Sequence, residues 1–191
     1  MKFRIISGEF KGRILYTPDR GNSFRPTLER TRESVSEIIK PKLHDAVTAD
    51  ICSGSGALGF EMLSRGASRV DFVEKDKSRL DYLKKNAQIL GVSDRCRFYN
   101  QDVNRFIKTI EGCYNIIYYD PPYDLCKLQD LIFDISFLLS TNGIMIYEHS
   151  SDYKSKEIFS DIEFKPYDVR CYGNTVIDFY KRSARLQNKV R

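Results

Sequence analysis

The chain has 191 residues and a formal net charge of +5, a length that suits one domain with a substantial core and a composition ordinary for a globular protein. No apolar run approaches the roughly 20 residues that cross a bilayer, and the opening Met-Lys-Phe-Arg-Ile-Ile-Ser-Gly lacks the apolar stretch of a signal peptide, so a cytoplasmic protein without membrane contact is expected. The five cysteines are scattered without a C-x-x-C pair and His44 and His149 are the two histidines, which argues against a zinc site and for cysteines mostly buried in a reducing compartment.

In chain order, residues 4–6 and 13–16 read as two short strands of a hairpin around Gly8 and Gly12. A loop over residues 18–26 leads to Thr27, placed to cap a helix from residue 28 to about residue 40. Arg25, Arg30 and Arg32 bring three guanidiniums into this segment, and Arg4, Lys11 and Arg13 add charge to the hairpin. Guanidinium geometry favours phosphate contact, while Glu29 and Glu33 offer an ordinary ion-paired surface as the alternative.

From residue 47 the pattern alternates. Strands over residues 47–52, 69–74, 97–100, 114–119 and 144–147 are separated by helices ending at Ser64 and over residues 76–90, 103–110 and 128–139, with a short helix at residues 155–159. That alternation predicts a parallel sheet covered on both faces. Residues 164–171 and 175–181 flank Tyr172-Gly173-Asn174 as an antiparallel hairpin at one edge, and a basic tail follows. One domain is expected: a basic extension over residues 1–45, a core over residues 46–182 and a tail over residues 183–191.

In an open α/β sheet, ligands sit beyond the carboxyl ends of the strands. Asp50, Glu74, Asp102 and Asp120 fall at or near such ends. Gly54-Ser-Gly-Ala-Leu-Gly59 matches the G-x-G-x-x-G of dinucleotide sites, and Glu74 stands where an acidic ribose partner is expected. Asp50, just ahead of the glycines, suits a cationic ligand rather than a pyrophosphate. Asp102 also heads a helix, so a capping role competes with a binding one.

Asp120-Pro121-Pro122-Tyr123 ends a run of branched and aromatic residues that reads as a buried strand. Proline has no N–H and fixes φ, so neither sheet nor helix continues through it. A carboxylate, a peptide carbonyl at Pro121 and a ring at Tyr123 make a grip for a flat base with an exocyclic amine: two acceptors for the amine and a face for stacking.

Asp50-Ile-Cys-Ser-Gly-Ser-Gly-Ala-Leu-Gly-Phe-Glu61 with Leu63-Ser-Arg-Gly-Ala67 resembles motif I of the RsmD-type family, which methylates the N2 amine of a guanine in bacterial 16S ribosomal RNA. Arg4-Ile-Ile-Ser-Gly, Lys11-Gly-Arg-Ile-Leu15, Arg25-Pro-Thr-Leu-Glu-Arg-Thr-Arg-Glu33, Asp120-Pro-Pro-Tyr123 and Tyr172-Gly-Asn-Thr175 extend the likeness across nearly the whole chain. Cys52-Ser53 and Tyr118-Tyr119 depart mildly from the family pattern, and the tail after Arg182 has no counterpart in it. The resemblance implies a Rossmann-like class I S-adenosylmethionine-dependent methyltransferase fold. It also implies catalysis by Asp120, Pro121, Pro122 and Tyr123, and cofactor binding by Asp50, Cys52, Gly54, Gly56, Glu74, Lys75, Asp102 and Val103. Asp50 and the glycines would hold the methionine end, Glu74 the ribose and Asp102 the adenine amine. Arg4, Lys11, Arg13, Arg25, Arg30 and Arg32 would bind RNA, the partner being 16S rRNA, free or in an assembling small subunit, with no metal and a monomeric protein. DNA adenine-N6 methylation and non-catalytic RNA binding on a methyltransferase scaffold are the alternatives. The short chain has no visible target-recognition domain for the first, and the intact constellation argues against the second.

Overall fold

A computed structural model describes residues 2–18, 26–122, 131–151 and 165–182. Its centre is a sheet that begins with β3 (Val47–Ile51), β4 (Arg69–Val73), β5 (Cys96–Tyr99) and β6 (Tyr114–Tyr119). It is completed by β7 (Leu139–Ser150), β8 (Asp168–Tyr172) and β9 (Thr175–Lys181). The strand order is β5-β4-β3-β6-β7-β9-β8, parallel from β5 to β7 and antiparallel through β9 and β8. The order reverses between β3 and β6, which places the switch point where the acid-tipped strands lie side by side.

Side chains alternate across this sheet as a strand period of two requires. Val70, Phe72, Ile116 and Ile146 face a core shared with Phe60, Leu83 and Val35, from helices α2 (Ala57–Ser64), α3 (Lys77–Leu90) and α1 (Pro26–Ile39). Val73, Ile117, Met145 and Tyr147 face a second core with Phe106 and Ile135, from α4 (Val103–Thr109) and α5 (Ile132–Ser136). A sheet buried on both faces needs near-continuous apolar strands, which is why β6 reads Tyr-Asn-Ile-Ile-Tyr-Tyr.

The N-terminal hairpin, β1 (Lys2–Arg4) and β2 (Ile14–Tyr16), pairs Lys2 with Tyr16 and Arg4 with Ile14. Phe3 and Leu15 point inward and join the first core. Polar anchors fix it there. Buried Glu61 accepts from the Ile6 and Ser7 amides at 2.9 and 3.0 Å. Buried Asn86 clasps Tyr16 through both N–H and carbonyl, at 2.9 and 2.7 Å. The Glu9 amide donates to the Ser64 carbonyl at 2.7 Å, and the Phe10 amide to Ser64 Oγ at 2.9 Å. Gly8 has φ +83°, and a Cβ there would lie 1.9 Å from the Ser64 carbonyl oxygen. The extension is thus built into the domain.

Some boundaries differ from the sequence reading. α1 opens at Pro26, so Thr27 lies inside the first turn instead of capping it; the leading amides of a helix have no intrahelical acceptor, so proline costs nothing there. The helix expected to run through Leu139 ends at Ser136, because Leu139 pairs with Tyr114 and starts β7. Ser140-Thr-Asn-Gly is an irregularity within that strand, where the register shifts and Asn142 adopts φ +69°. Of the cysteines described, Cys96 is buried, Cys52 half-buried, and Cys113 and Cys171 exposed, so burial is not their rule. The helix expected at residues 155–159 lies outside the described residues.

Candidate active site

A cavity of about 470 Å³ opens beyond the carboxyl ends of the parallel strands, within the roughly 300–1,000 Å³ of small-molecule sites. Cys52, Gly54, Glu74, Lys75, Asp102, Val103, Asp120, Pro121 and Pro122 all line it, as the sequence led one to expect. Val73, Arg79, Gln101 and Glu148 line it too and were not foreseen. Asp50 and Gly56 are not in the lining, and Tyr123 lies outside the described residues.

Each wall follows from a strand end. After β3 the chain turns sharply at Cys52, whose φ of +63° is uncommon for a non-glycine residue. The buried Asp50 carboxylate stands behind the turn, where Oδ2 accepts from the Gly59 amide at 3.1 Å. A Cβ on Gly59 would meet Asp50 Oδ2 at 2.7 Å and Phe72 at 2.4 Å, so only glycine lets α2 approach this closely. Asp50 Oδ1 is buried with no hydrogen-bond partner. Burial pushes the Asp50 carboxyl up to about 8, relieved in part by the Gly59 amide and reinforced by Glu74.

Glu74, after β4, spends its carboxylate on backbone amides: Oε2 takes Gly54 N–H and Oε1 takes Asp76 N–H, both at 2.9 Å. Asp102 is exposed and caps α4, accepting from the Arg105 amide at 2.9 Å through Oδ1. The competing cap role is therefore real, though it engages one oxygen. β6 ends with the Asp120 amide donating to the Ile51 carbonyl at 3.2 Å. Pro121 and Pro122 have no N–H to carry the ladder further. The Asp120 carboxyl is raised well above the ordinary carboxylate range by burial, then by Glu148 and Asp50. The Cys52 thiol is pushed up by burial, then by Asp120, Glu74 and Asp50, which disfavours its thiolate.

Glu148 was missed because the strand expected at residues 144–147 extends to Ser150. Tyr119 pairs with Tyr147, so Asp120 and Glu148 follow side by side where the β6–β7 pairing ends. The signal that found Asp120, an acid directly after an apolar strand, stood at Glu148 as well. Arg79 and Gln101 carried no such signal; chain folding alone brings them to the cavity.

Of the arginines and lysine expected to meet RNA, Arg4, Lys11, Arg13 and Arg30 are exposed. Arg4 Nη1 donates to the Gly12 carbonyl at 3.0 Å, and Arg13 Nη2 to that of Ile89 at 2.8 Å. Arg32 does not belong with them. It is 8% exposed, donates to the Arg4 carbonyl at 2.8 Å and lies 5.8 Å over the Phe3 ring, so it clamps the hairpin to α1. Arg25 lies outside the described residues.

Over residues 3–181 the chain matches the family described as conserved hypothetical protein 95. The chain belongs to this family. It is the RsmD-type family that the motifs resemble: the relative named "Ribosomal RNA small subunit methyltransferase D" of Escherichia coli strain K12 is 30% identical over 189 residues, covering 96% of this chain and 92% of that protein. "Putative rRNA methyltransferase YlbH" of Bacillus subtilis strain 168 is 32% identical over 184 residues, covering 94% and 98%. Among solved structures, "Putative methyltransferase yhhF from Escherichia coli" superposes with a TM-score of 0.82 at 28% identity, covering 96% of this chain and 99% of that one. The fold is that of the Rossmann-like methyltransferases, as the strand order and the terminal antiparallel pair require.

The cavity fits S-adenosylmethionine better than a dinucleotide. Glu74, Asp102, Asp120 and Glu148 line it against Lys75 and Arg79, an acid-rich wall for a ligand bearing a sulfonium and an ammonium. The Gly54 amide, which a pyrophosphate would need, already donates to Glu74. An acid-rich wall disfavours phosphates and favours a cation.

Proposed function

We propose that this protein transfers a methyl group from S-adenosylmethionine to the exocyclic N2 amine of a guanine in small-subunit, 16S ribosomal RNA, in the cytoplasm and as a monomer. The observation that carries this reading is the strand-end acid Asp120, followed by two prolines and lining the acid-rich cavity.

When bound, S-adenosylmethionine supplies an electrophilic methyl group on a sulfonium. Glu74 would hold the ribose: its oxygens already face the turn amides and retain lone pairs for hydroxyls. Lys75, Val103 and Asp102 would bound the adenine, and Cys52 and Gly54 the methionine end. Asp50 would act from behind the turn, holding Gly59, and Gly56 would act by forming the turn. The base offers a weak nucleophile, so alignment is the protein's main task. The Asp120 carboxylate and Pro121 carbonyl would accept the amine hydrogens and favour positive charge developing on nitrogen. Pro122, exposed at the rim, and Tyr123 would bound the base, which must leave its stack to reach them. Arg4, Lys11, Arg13, Arg25 and Arg30 would contact RNA phosphates.

Methylation with labelled S-adenosylmethionine, on naked 16S rRNA and on assembled small subunits, followed by nucleoside mapping, tests the reading. N2-methylguanine from one substrate is expected; N6-methyladenine in DNA, or no methylation of RNA, would refute it. Asp120→Asn keeps shape but not charge, and should slow single-turnover methylation about 10–1,000-fold while cofactor affinity holds.

A further inference from the structure

Glu148 has no part in the reading so far, yet it lines the same cavity as Asp120. The parallel register sets Tyr119 against Tyr147, so the residues that follow, Asp120 and Glu148, are lateral neighbours. The Tyr118 hydroxyl lies 2.5 Å from Glu148 Oε2, and Tyr118 itself is the partner of Asp50 across β3 and β6. Asp120, Glu148 and Asp50 form one electrostatic group with Tyr118 in their midst. Two adjacent acids at the end of a buried sheet are costly to maintain, since like charges in a low dielectric repel. Asp120 alone would satisfy an amine grip.

Resting on the proposed methyl transfer, we propose that Glu148 is a positioning residue that acts through Asp120: its charge, held beside the strand end by the Tyr118 hydroxyl, makes Asp120 a stronger acceptor for the proton the amine must release. The balance is simple. The nitrogen lone pair forms the N–CH3 bond, the methyl–sulfur bond breaks with its electron pair left on sulfur, and the nitrogen becomes positive. One of its two protons then passes to an Asp120 carboxylate oxygen, giving a neutral methylamine and a protonated Asp120, which returns the proton to solvent. A neighbouring negative charge raises the affinity of the Asp120 carboxylate for that proton. Among the described residues, the groups that act on or are acted on by Asp120 are Glu148 from β7, Asp50 from β3, Tyr118 from β6 and Cys52 from the turn, and Lys75 and Arg79 are cations lining the same cavity. Asp50 sits behind the turn and bonds Gly59, which leaves Glu148 as the acid beside Asp120 in the cavity wall.

The test compares wild type with Glu148→Gln, Glu148→Asp and Tyr118→Phe. Carbon-13 carboxyl titration of the protein alone should show the Asp120 midpoint falling by about one pH unit in Glu148→Gln, as expected for loss of a like charge. Glu148→Asp should restore it, and Tyr118→Phe, which keeps the ring but removes the hydroxyl that holds Glu148 in place, should move it less but in the same direction. The acid limb of the single-turnover pH–rate profile should shift down in parallel, with the plateau rate about tenfold lower in Glu148→Gln. An unmoved Asp120 midpoint, or an unmoved acid limb with a wild-type plateau, overturns the role of Glu148. A wild-type protein that methylates no guanine overturns the substrate reading instead, and does so before any variant is compared.

Discussion

Asp50 shows how one buried side chain sets both architecture and pH response. Its Oδ2 fastens the start of α2 through Gly59, while Oδ1 has no hydrogen-bond partner, and burial lifts its carboxyl to about 8. The folded protein therefore holds a proton that the unfolded chain releases above about pH 4. By linkage this contribution to stability is intact below pH 4 and is lost as pH rises toward 8, at up to about 1.4 kcal/mol per pH unit. Asp50→Asn keeps an acceptor for Gly59 without the charge. Thermal melts of ligand-free protein should show the variant gaining on wild type steadily from pH 5 to pH 8. A difference constant with pH would mean that Asp50 ionises as an ordinary carboxyl.

At the scale of elements, the N-terminal hairpin is held by polar anchors more than by its own pairing. Three residue pairs in β1 and β2 form an isolated two-stranded ribbon, which is marginal in water. Glu61, Ser64 and Asn86 convert it into a fixed surface. Gly8→Ala drives a Cβ into the Ser64 carbonyl and displaces the Glu9 and Phe10 amides. Two disturbed hydrogen bonds at about 1 kcal/mol each, plus left-handed strain of about 1–2 kcal/mol, give a destabilisation of about 3–4 kcal/mol. Denaturant melts read that loss. RNA affinity should fall with it, while S-adenosylmethionine affinity, which depends on the other end of the sheet, should survive in the fraction still folded.

For the molecule as a whole, among the described residues, Glu74, Asp102, Asp120 and Glu148 line the cavity, while Arg4, Lys11, Arg13 and Arg30 lie exposed on the hairpin and α1, interspersed there with exposed Glu9, Glu29 and Glu33. In the proposed function, the cationic cofactor and the RNA would thus meet different residues of the chain. Replacing Lys11 and Arg30 together by Ala should lower the dependence of log affinity on log salt by about 0.7–0.9 per lost phosphate contact. Arg32→Ala should leave that slope alone and instead reduce stability by about 1–3 kcal/mol, since it unpairs the Arg4 carbonyl and strips the cation from Phe3. Filter binding across a salt series, with parallel melts, separates the two behaviours. A changed slope for Arg32→Ala would place that guanidinium at the RNA after all.

The sequence alone determined the alternation of strands and helices, the extent of β6, and the acids at strand ends, because each is written in local patterns: apolar periodicity, glycine turns and the proline stop after Asp120. The register of neighbouring strands is written in no local pattern. Only the tertiary structure decided that Leu139 leaves a helix to pair with Tyr114 and that Glu148 lies beside Asp120. In the same way, Arg32 reads like Arg30 in the chain, but the turn of α1 carries one guanidinium outward and buries the other against Phe3. Asp50 and Glu74 look alike as strand-end acids, yet Glu74 enters the cavity and Asp50 stays behind the glycine turn, because α2 packs so closely at Gly59 that it covers one carboxylate and leaves the other open.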